Sequence, residues 1–131
     1  MGRGGGKSKY DLEDRLIDFT MKILDLVESL PQTRVGNHIA GQLVRCGTSP
    51  APNYGEARSA ESRRDFIHKM KVVLKELRET RVWLMLVQRK SLVSPPERAA
   101  EVHAECDELI SIFVASIGTA EGRVRGLSQG G

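Results

Sequence analysis

Leu12, Leu16, Phe19, Ile23, Leu26, Val27 and Leu30 recur at three- and four-residue intervals, and that spacing returns in three later stretches. The second carries Val35, Ile39, Leu43 and Cys46. The third carries Phe66, Met70, Val73, Leu77 and Leu84, and the fourth Val102, Cys106, Leu109, Ile110, Phe113 and Ile117. A period of 3.6 residues gathers each set on one helical face. No segment alternates apolar and polar residues for long enough to make a strand. Four amphipathic helices joined by short punctuation predict an all-α fold, an up-and-down antiparallel four-helix bundle.

The punctuation sets the boundaries. Asp11 with Asp14 three residues on resembles a capping box. Pro31 ends the first helix by pushing Leu30 out of the helical region. The second helix begins near Thr33 and meets Pro50 and Pro52. Each proline removes a backbone donor, and the Pro50 ring collides with the carbonyl of Cys46. The spacing therefore predicts a kink or break over residues 47–52, with helix resuming through Tyr54 to about Arg58. The third helix starts at Ser62, with Asp65 three residues on, and runs to about Lys90. Ser94-Pro95-Pro96-Glu97 predicts an N-cap Ser, a Pro in the first helical position and an acid in the first turn. The fourth helix ends between Gly118 and Gly122. The bundle is then residues 10–120, between a Gly-rich basic tail (1–9) expected to be disordered and a flexible tail (121–131).

A chain of 131 residues supports one domain with its own core. Aromatics are 5% of it, so that core is mostly aliphatic. No apolar run approaches the roughly 20 residues that span a bilayer, and the start lacks the apolar centre of a signal peptide. Cys46 and Cys106 are too few and too far apart to imply a disulfide framework. They read as buried, reduced thiols of a cytoplasmic protein.

Charge is distributed more informatively than the net +3 suggests. Residues 63–90 hold nine basic and three acidic side chains, whereas residues 10–30 hold two basic and six acidic, and residues 91–131 three basic and six acidic. On the third helix Arg64, His68, Lys71, Lys75 and Arg78 fall within about 80° of one another, opposite the apolar face. Such a ridge can neutralise phosphates. It can equally be a solvated face, or pair with acidic helices of a neighbouring subunit. The ridge contains no stacking aromatic, which argues against sequence-specific reading of single strands.

A second polar feature runs along the second helix. Gln42, Arg45, Ser49, Asn53 and Glu56 also span about 80°. They form either a structural hydrogen-bond network or a binding surface. The two prolines and the lack of catalytic partners favour the network. No His stands in a spacing that would serve Ser49 as a base, and an enzyme using Ser49, Asn53 and Glu56 is disfavoured. His103, Cys106 and Asp107 lack the partner pair of a zinc site, so no metal and no cofactor is expected. Gly4, Gly5 and Gly6 precede no strand and make no phosphate loop.

Several spaced motifs occur together in one order. They are Asp11-Leu12 with Arg15, Pro31, Gln42-Leu43 with Arg45, Ser49 with Asn53 and Glu56-Ala57, and Ser62 with Asp65-Phe66 and Lys69. Lys75-Glu76 and Glu79-Thr80 with Trp83-Leu84 continue the pattern. Residues 11–90 thereby resemble the bacterial four-helix-bundle proteins encoded in intervening sequences of large-subunit ribosomal RNA genes. More distantly, they resemble the accessory protein of diversity-generating retroelements, which binds reverse transcriptase and nucleic acid. The resemblance implies a bundle that assembles as a ring-like homopentamer, and it implies no enzyme.

Two readings follow. In one, the chain is a non-enzymatic oligomer that meets RNA or DNA backbone through Arg45 and the third-helix ridge. In the other, it is a protein-interaction scaffold or accessory subunit, for example partnering a reverse transcriptase, without direct nucleic-acid binding.

Overall fold

A computed structural model describes residues 11–123. They form five helical segments and no strand: α1 (Leu12–Glu28), α2 (Arg34–Gly47), α3 (Pro50–Arg58), α4 (Arg63–Arg89) and α5 (Glu97–Ala120). The fold is all-helical, as expected. The expected tail over residues 1–9 lies outside the described residues, as does the C-terminal tail beyond Arg123.

Three of the starts are capped as the sequence predicts. Asp11 Oδ1 accepts from the Asp14 amide at 2.9 Å, Thr33 Oγ1 from the Gly36 amide at 3.0 Å, and Ser62 Oγ from the Asp65 amide at 3.0 Å. Each satisfies one of the orphan amides of a first turn. The start of α5 differs from expectation. Ser94 does not cap it; the helix begins at Glu97 behind Pro96, without a side-chain cap. Its first turn is built on the carbonyls of Pro95 and Pro96, which accept from the Arg98 and Ala100 amides. Pro96 has no amide of its own, so one fewer donor needs a cap.

At the kink or break predicted over residues 47–52, α2 and α3 stand with Thr48 and Ser49 between them, and helix resumes to Arg58 as expected. Both linking residues keep right-handed helical angles. Thr48 N–H reaches the Val44 carbonyl at 3.3 Å, and Asn53 N–H the Ser49 carbonyl at 3.2 Å. What fails is the ladder at Pro50 and Pro52, which offer no N–H to the carbonyls of Cys46 and Thr48. The interruption is therefore a local loss of ladder bonds at the prolines rather than a loop.

Leu16, Phe19 and Ile23 of α1, Leu43 of α2, Val73, Leu77 and Leu84 of α4, and Leu109 and Phe113 of α5 are fully buried. Burying a Leu or Phe side chain stabilises by about 1.5–3 kcal/mol. Tyr54 of α3 packs edge-on against Phe113, with ring centroids 5.8 Å apart. Val35 departs from its expected place and is exposed. Gly36 is buried instead, because its missing Cβ lets the Pro31 carbonyl come within 2.0 Å of where that carbon would sit. Both thiols are buried and free. Cys106 Sγ donates to the Leu77 carbonyl at 3.3 Å, and burial pushes that thiol up to about 12.

α1 packs on α2, α3 and α5, and α4 packs on the same three elements. The registers run in opposite senses. Along the α4–α5 seam, Gln88 meets His103, Leu77 meets Cys106, and Lys71 meets Glu121. On the opposite seam, the early α4 residue Lys69 meets Glu56, while the late residue Trp83 meets His38 of α2. Among the described residues, no helix is long and apolar enough to cross a membrane.

Candidate nucleic-acid interface

α4 owes its two faces to one period. Met70, Val73, Leu77, Leu84 and Val87 turn inward, and Arg64, His68, Lys71, Lys75 and Arg78 are all exposed. From Arg64 to Arg78, 14 rises of 1.5 Å make the cationic row about 21 Å long.

The structure adds one cation to this row from beyond the end of α5, Arg123. A groove of about 420 Å³ lies between α4 and α5, bordered by Lys71, Lys75, Arg78 and Arg123. Its floor is aliphatic: Leu74, Val114 and Ile117. A shallower hollow beside it is lined by Arg63, Arg64, Ile67, Glu121 and Arg123. Arg63 Nε also donates to the Ala120 carbonyl at 2.8 Å, capping the negative end of α5. Glu121 is the acidic residue at the junction. Its carboxylate meets Lys71 Nζ at 2.9 Å and Arg123 Nη2 at 3.0 Å. The hydrogen bond from Lys71 holds the Glu121 carboxyl below the usual carboxylate range. Lys75 and Arg78 make no ion pair within 4.0 Å among the described residues.

Arg123 and Glu121 were not singled out from sequence, because they follow the last apolar position of α5. The available signal was Gly122. It sits just past the helix end with φ +78° and donates its amide to the Thr119 carbonyl at 3.0 Å, as a glycine after a C-cap does. That stop, combined with antiparallel packing, places residue 123 beside the start of α4.

Arg45 is not on the ridge. Its guanidinium donates to Gln42 Oε1 at 2.9 Å and to the Glu79 carboxylate, and lies 3.8 Å from Glu76 Oε1. Burial works against ionisation of Glu79, but hydrogen bonds from Arg45 and Trp83 outweigh it and lower the carboxyl. Arg45 thus spends its charge on two carboxylates of its own chain.

The α2–α3 stripe divides into three separate clusters. Gln42 and Arg45 join Glu76 and Glu79 of α4. Asn53 Nδ2 donates to Ser49 Oγ at 2.8 Å and to the Ser49 carbonyl at 3.0 Å. Glu56 accepts from Lys69 Nζ at 2.8 Å. Arg45 and Glu56 are exposed, so their contacts with α4 pin helices together at the surface rather than fill the core, while the Asn53–Ser49 bonds stay within the start of α3. His103 hydrogen-bonds Gln88 through Nδ1 at 2.6 Å and lies 3.5 Å from Asp107. Among the described residues no group of His, Cys, Asp and Glu is arranged to hold a metal ion.

Comparison with known proteins agrees with this architecture. No curated protein matches the chain. A solved structure from Bacteroides thetaiotaomicron, described as a protein with unknown function from the S23 ribosomal protein family, is similar at 30% identity. It superposes with a TM-score of 0.75 over 82% of this chain and 98% of that one. The profile of the 23S rRNA-intervening sequence proteins matches residues 9–115, which carries the likeness past α4 into most of α5. With a match of that extent on a helical fold that the solved relative shares, the chain belongs to the 23S rRNA-intervening sequence protein family.

Proposed function

We propose that this chain is a non-enzymatic oligomer, an antiparallel up-and-down four-helix bundle that holds the phosphate backbone of RNA or DNA on the α4 ridge. The observation that carries the reading is the convergence of Lys71, Lys75 and Arg78 with Arg123 on one groove. Cations from α4 and from beyond the end of α5 meet there, and among the described residues Lys75 and Arg78 make no ion pair within 4.0 Å. The groove has no aromatic side chain, so affinity comes from phosphates, with little choice of sequence.

The test is fluorescence anisotropy with a labelled 20-base-pair RNA duplex and a DNA duplex of the same sequence. Binding to either that weakens steeply with salt, and weakens again in the Lys71→Gln/Lys75→Gln/Arg78→Gln variant, supports the reading. Unchanged binding in that variant overturns the ridge as the site.

A second reading rests on a different observation. Val82 and Leu86 of α4 are 51% and 43% exposed, one turn apart, and Ile17 and Met21 of α1 are 47% and 53% exposed. Apolar rows of this kind suit contact with another chain. A second copy in a homo-oligomer such as the pentamer, or a protein partner, would cover them. Sedimentation velocity on the wild type and on Val82→Glu/Leu86→Glu tests this. A fall in mass with retained helicity supports a subunit interface, and an unchanged mass rejects it.

A further inference from the structure

Glu121 lies where a ligand phosphate is expected to go. Its carboxylate is within 3.0 Å of two groove cations, Lys71 and Arg123, which approach it from different elements. It is the one acidic side chain among the residues bordering the groove and the hollow beside it. The adjoining cations Lys75 and Arg78 have no comparable partner among the described residues. Half of the cationic set is thus occupied by the chain's own carboxylate, and half is open.

The position of Glu121 explains how it can leave. It caps α5 with its backbone, donating its amide to the Ile117 carbonyl at 2.9 Å. Gly122 follows at φ +78°, a left-handed conformation that glycine adopts without strain. The carboxylate therefore takes no part in holding the helix end, and its side chain can swing away while the backbone stays fixed. Ion pairs at a solvent-accessible site are weak, and a phosphate offering more acceptor oxygens can replace them. The aliphatic floor of Leu74, Val114 and Ile117 suits the sugar of the same nucleotide.

We propose that Glu121 is a built-in competitor for phosphate: a phosphodiester of a bound nucleic acid displaces its carboxylate from Lys71 and Arg123 and seats its sugar on the Leu74–Val114–Ile117 floor. This rests on the phosphate-binding reading above and adds to it the group that sets affinity at that site. Glu121 touches no reacting atom and acts through the two cations it occupies.

The experiment measures dissociation constants for the labelled 20-base-pair RNA duplex at 50 mM KCl. Glu121→Gln is expected to tighten binding by about threefold, the scale of one surface charge contact. Glu101→Gln removes the same charge from α5, about 30 Å along the helix from residue 121, and is expected to change binding much less. In a Lys71→Gln background the gain from Glu121→Gln should shrink, because one competed cation is gone. Two results overturn the proposal: no tightening in Glu121→Gln, or equal tightening in Glu101→Gln, which makes the effect one of net charge. If either occurs while Lys75→Gln/Arg78→Gln still weakens binding, the phosphate-binding reading stands without the competitor. Wild-type protein that binds neither duplex overturns both.

Discussion

Arg15 holds Glu105 with two parallel bonds, Nε to Oε2 at 2.8 Å and Nη2 to Oε1 at 3.1 Å. The pair clamps α1 to α5, and Glu108 accepts a further bond from the same guanidinium. The hydrogen bonds that Arg15 donates to Glu105 raise the Arg15 pKa further above its already basic value. Both side chains are largely shielded, at 27% and 20% exposure. Arg15→Met leaves Glu105 half-buried without its partner and should destabilise the fold by about 1–3 kcal/mol. Adding Glu105→Leu should restore part of the loss, since removing both partners costs less than orphaning one. Urea unfolding of the three variants checks this.

Gly47 allows α2 to lie directly on α1. A Cβ there meets Ile23 Cγ2 at 2.8 Å and Cγ1 at 3.2 Å. Gly47→Ala should cost about 1–3 kcal/mol despite its better helix propensity. In an Ile23→Ala background the same change should cost less or stabilise, a coupling that a double-mutant cycle reads directly. Gly36→Ala should have no comparable rescue by side-chain truncation, because its obstacle is the Pro31 backbone carbonyl.

Ser91 occupies the left-handed position after α4, with φ +53°. Its amide donates to the Gln88 carbonyl at 3.1 Å, and the Leu92 amide to the Val87 carbonyl at 3.0 Å. These bonds form the helix-terminating pattern that favours glycine. Ser91→Gly should therefore raise stability by about 0.5–1 kcal/mol, read as a higher melting temperature.

Alkaline pH should weaken the fold through its buried thiols. The folded protein keeps Cys106 neutral up to about 12, well above the ordinary value of 9.0, and burial raises Cys46 in the same direction. Above pH 9 the unfolded chain releases protons that the folded one retains. Stability present below pH 9 is then lost as pH rises, by up to about 1.4 kcal/mol per pH unit for each thiol. Chemical unfolding between pH 8 and 10.5 should show a shallower decline for Cys106→Ala than for wild type.

Salt dependence should count the phosphates on the ridge. Neutralising Lys71, Lys75 and Arg78 should reduce the slope of log affinity against log salt by about 2–3 for a duplex ligand, near 0.9 per contact. Arg45→Gln should leave that slope unchanged, because Arg45 is already paired with Glu76 and Glu79.

How much of this was legible in sequence depended on distance along the chain. Asp11, Thr33 and Ser62 were readable as helix starts because a cap acts across three residues. The exposed ridge was readable because helical period alone orients it. Ser94 misled because two following prolines moved the first helical turn onto carbonyls that need no side-chain cap. Val35 misled because a first turn can rotate its buried face onto a glycine. The splitting of the Gln42–Glu56 stripe was not legible, since Glu79 and Lys69 come from another helix and no angular count within α2 and α3 reveals them. The same holds for Arg123, whose meeting with Lys71, Lys75 and Arg78 requires the register of α5 against α4.

The two faces of α4 also limit how this protein can evolve. Met70, Val73, Leu77 and Leu84 fix the helix's rotation in the core, and the ridge on its other side inherits that phase. Inserting one residue between Met70 and Leu84 would turn everything beyond it by 100° and carry cations into the interior. Substitution can change which residues stand on the ridge, while their spacing can shift only if the core is rebuilt with it. The charge of that outer face is thus free to change one side chain at a time, while its ruler stays the one the core sets.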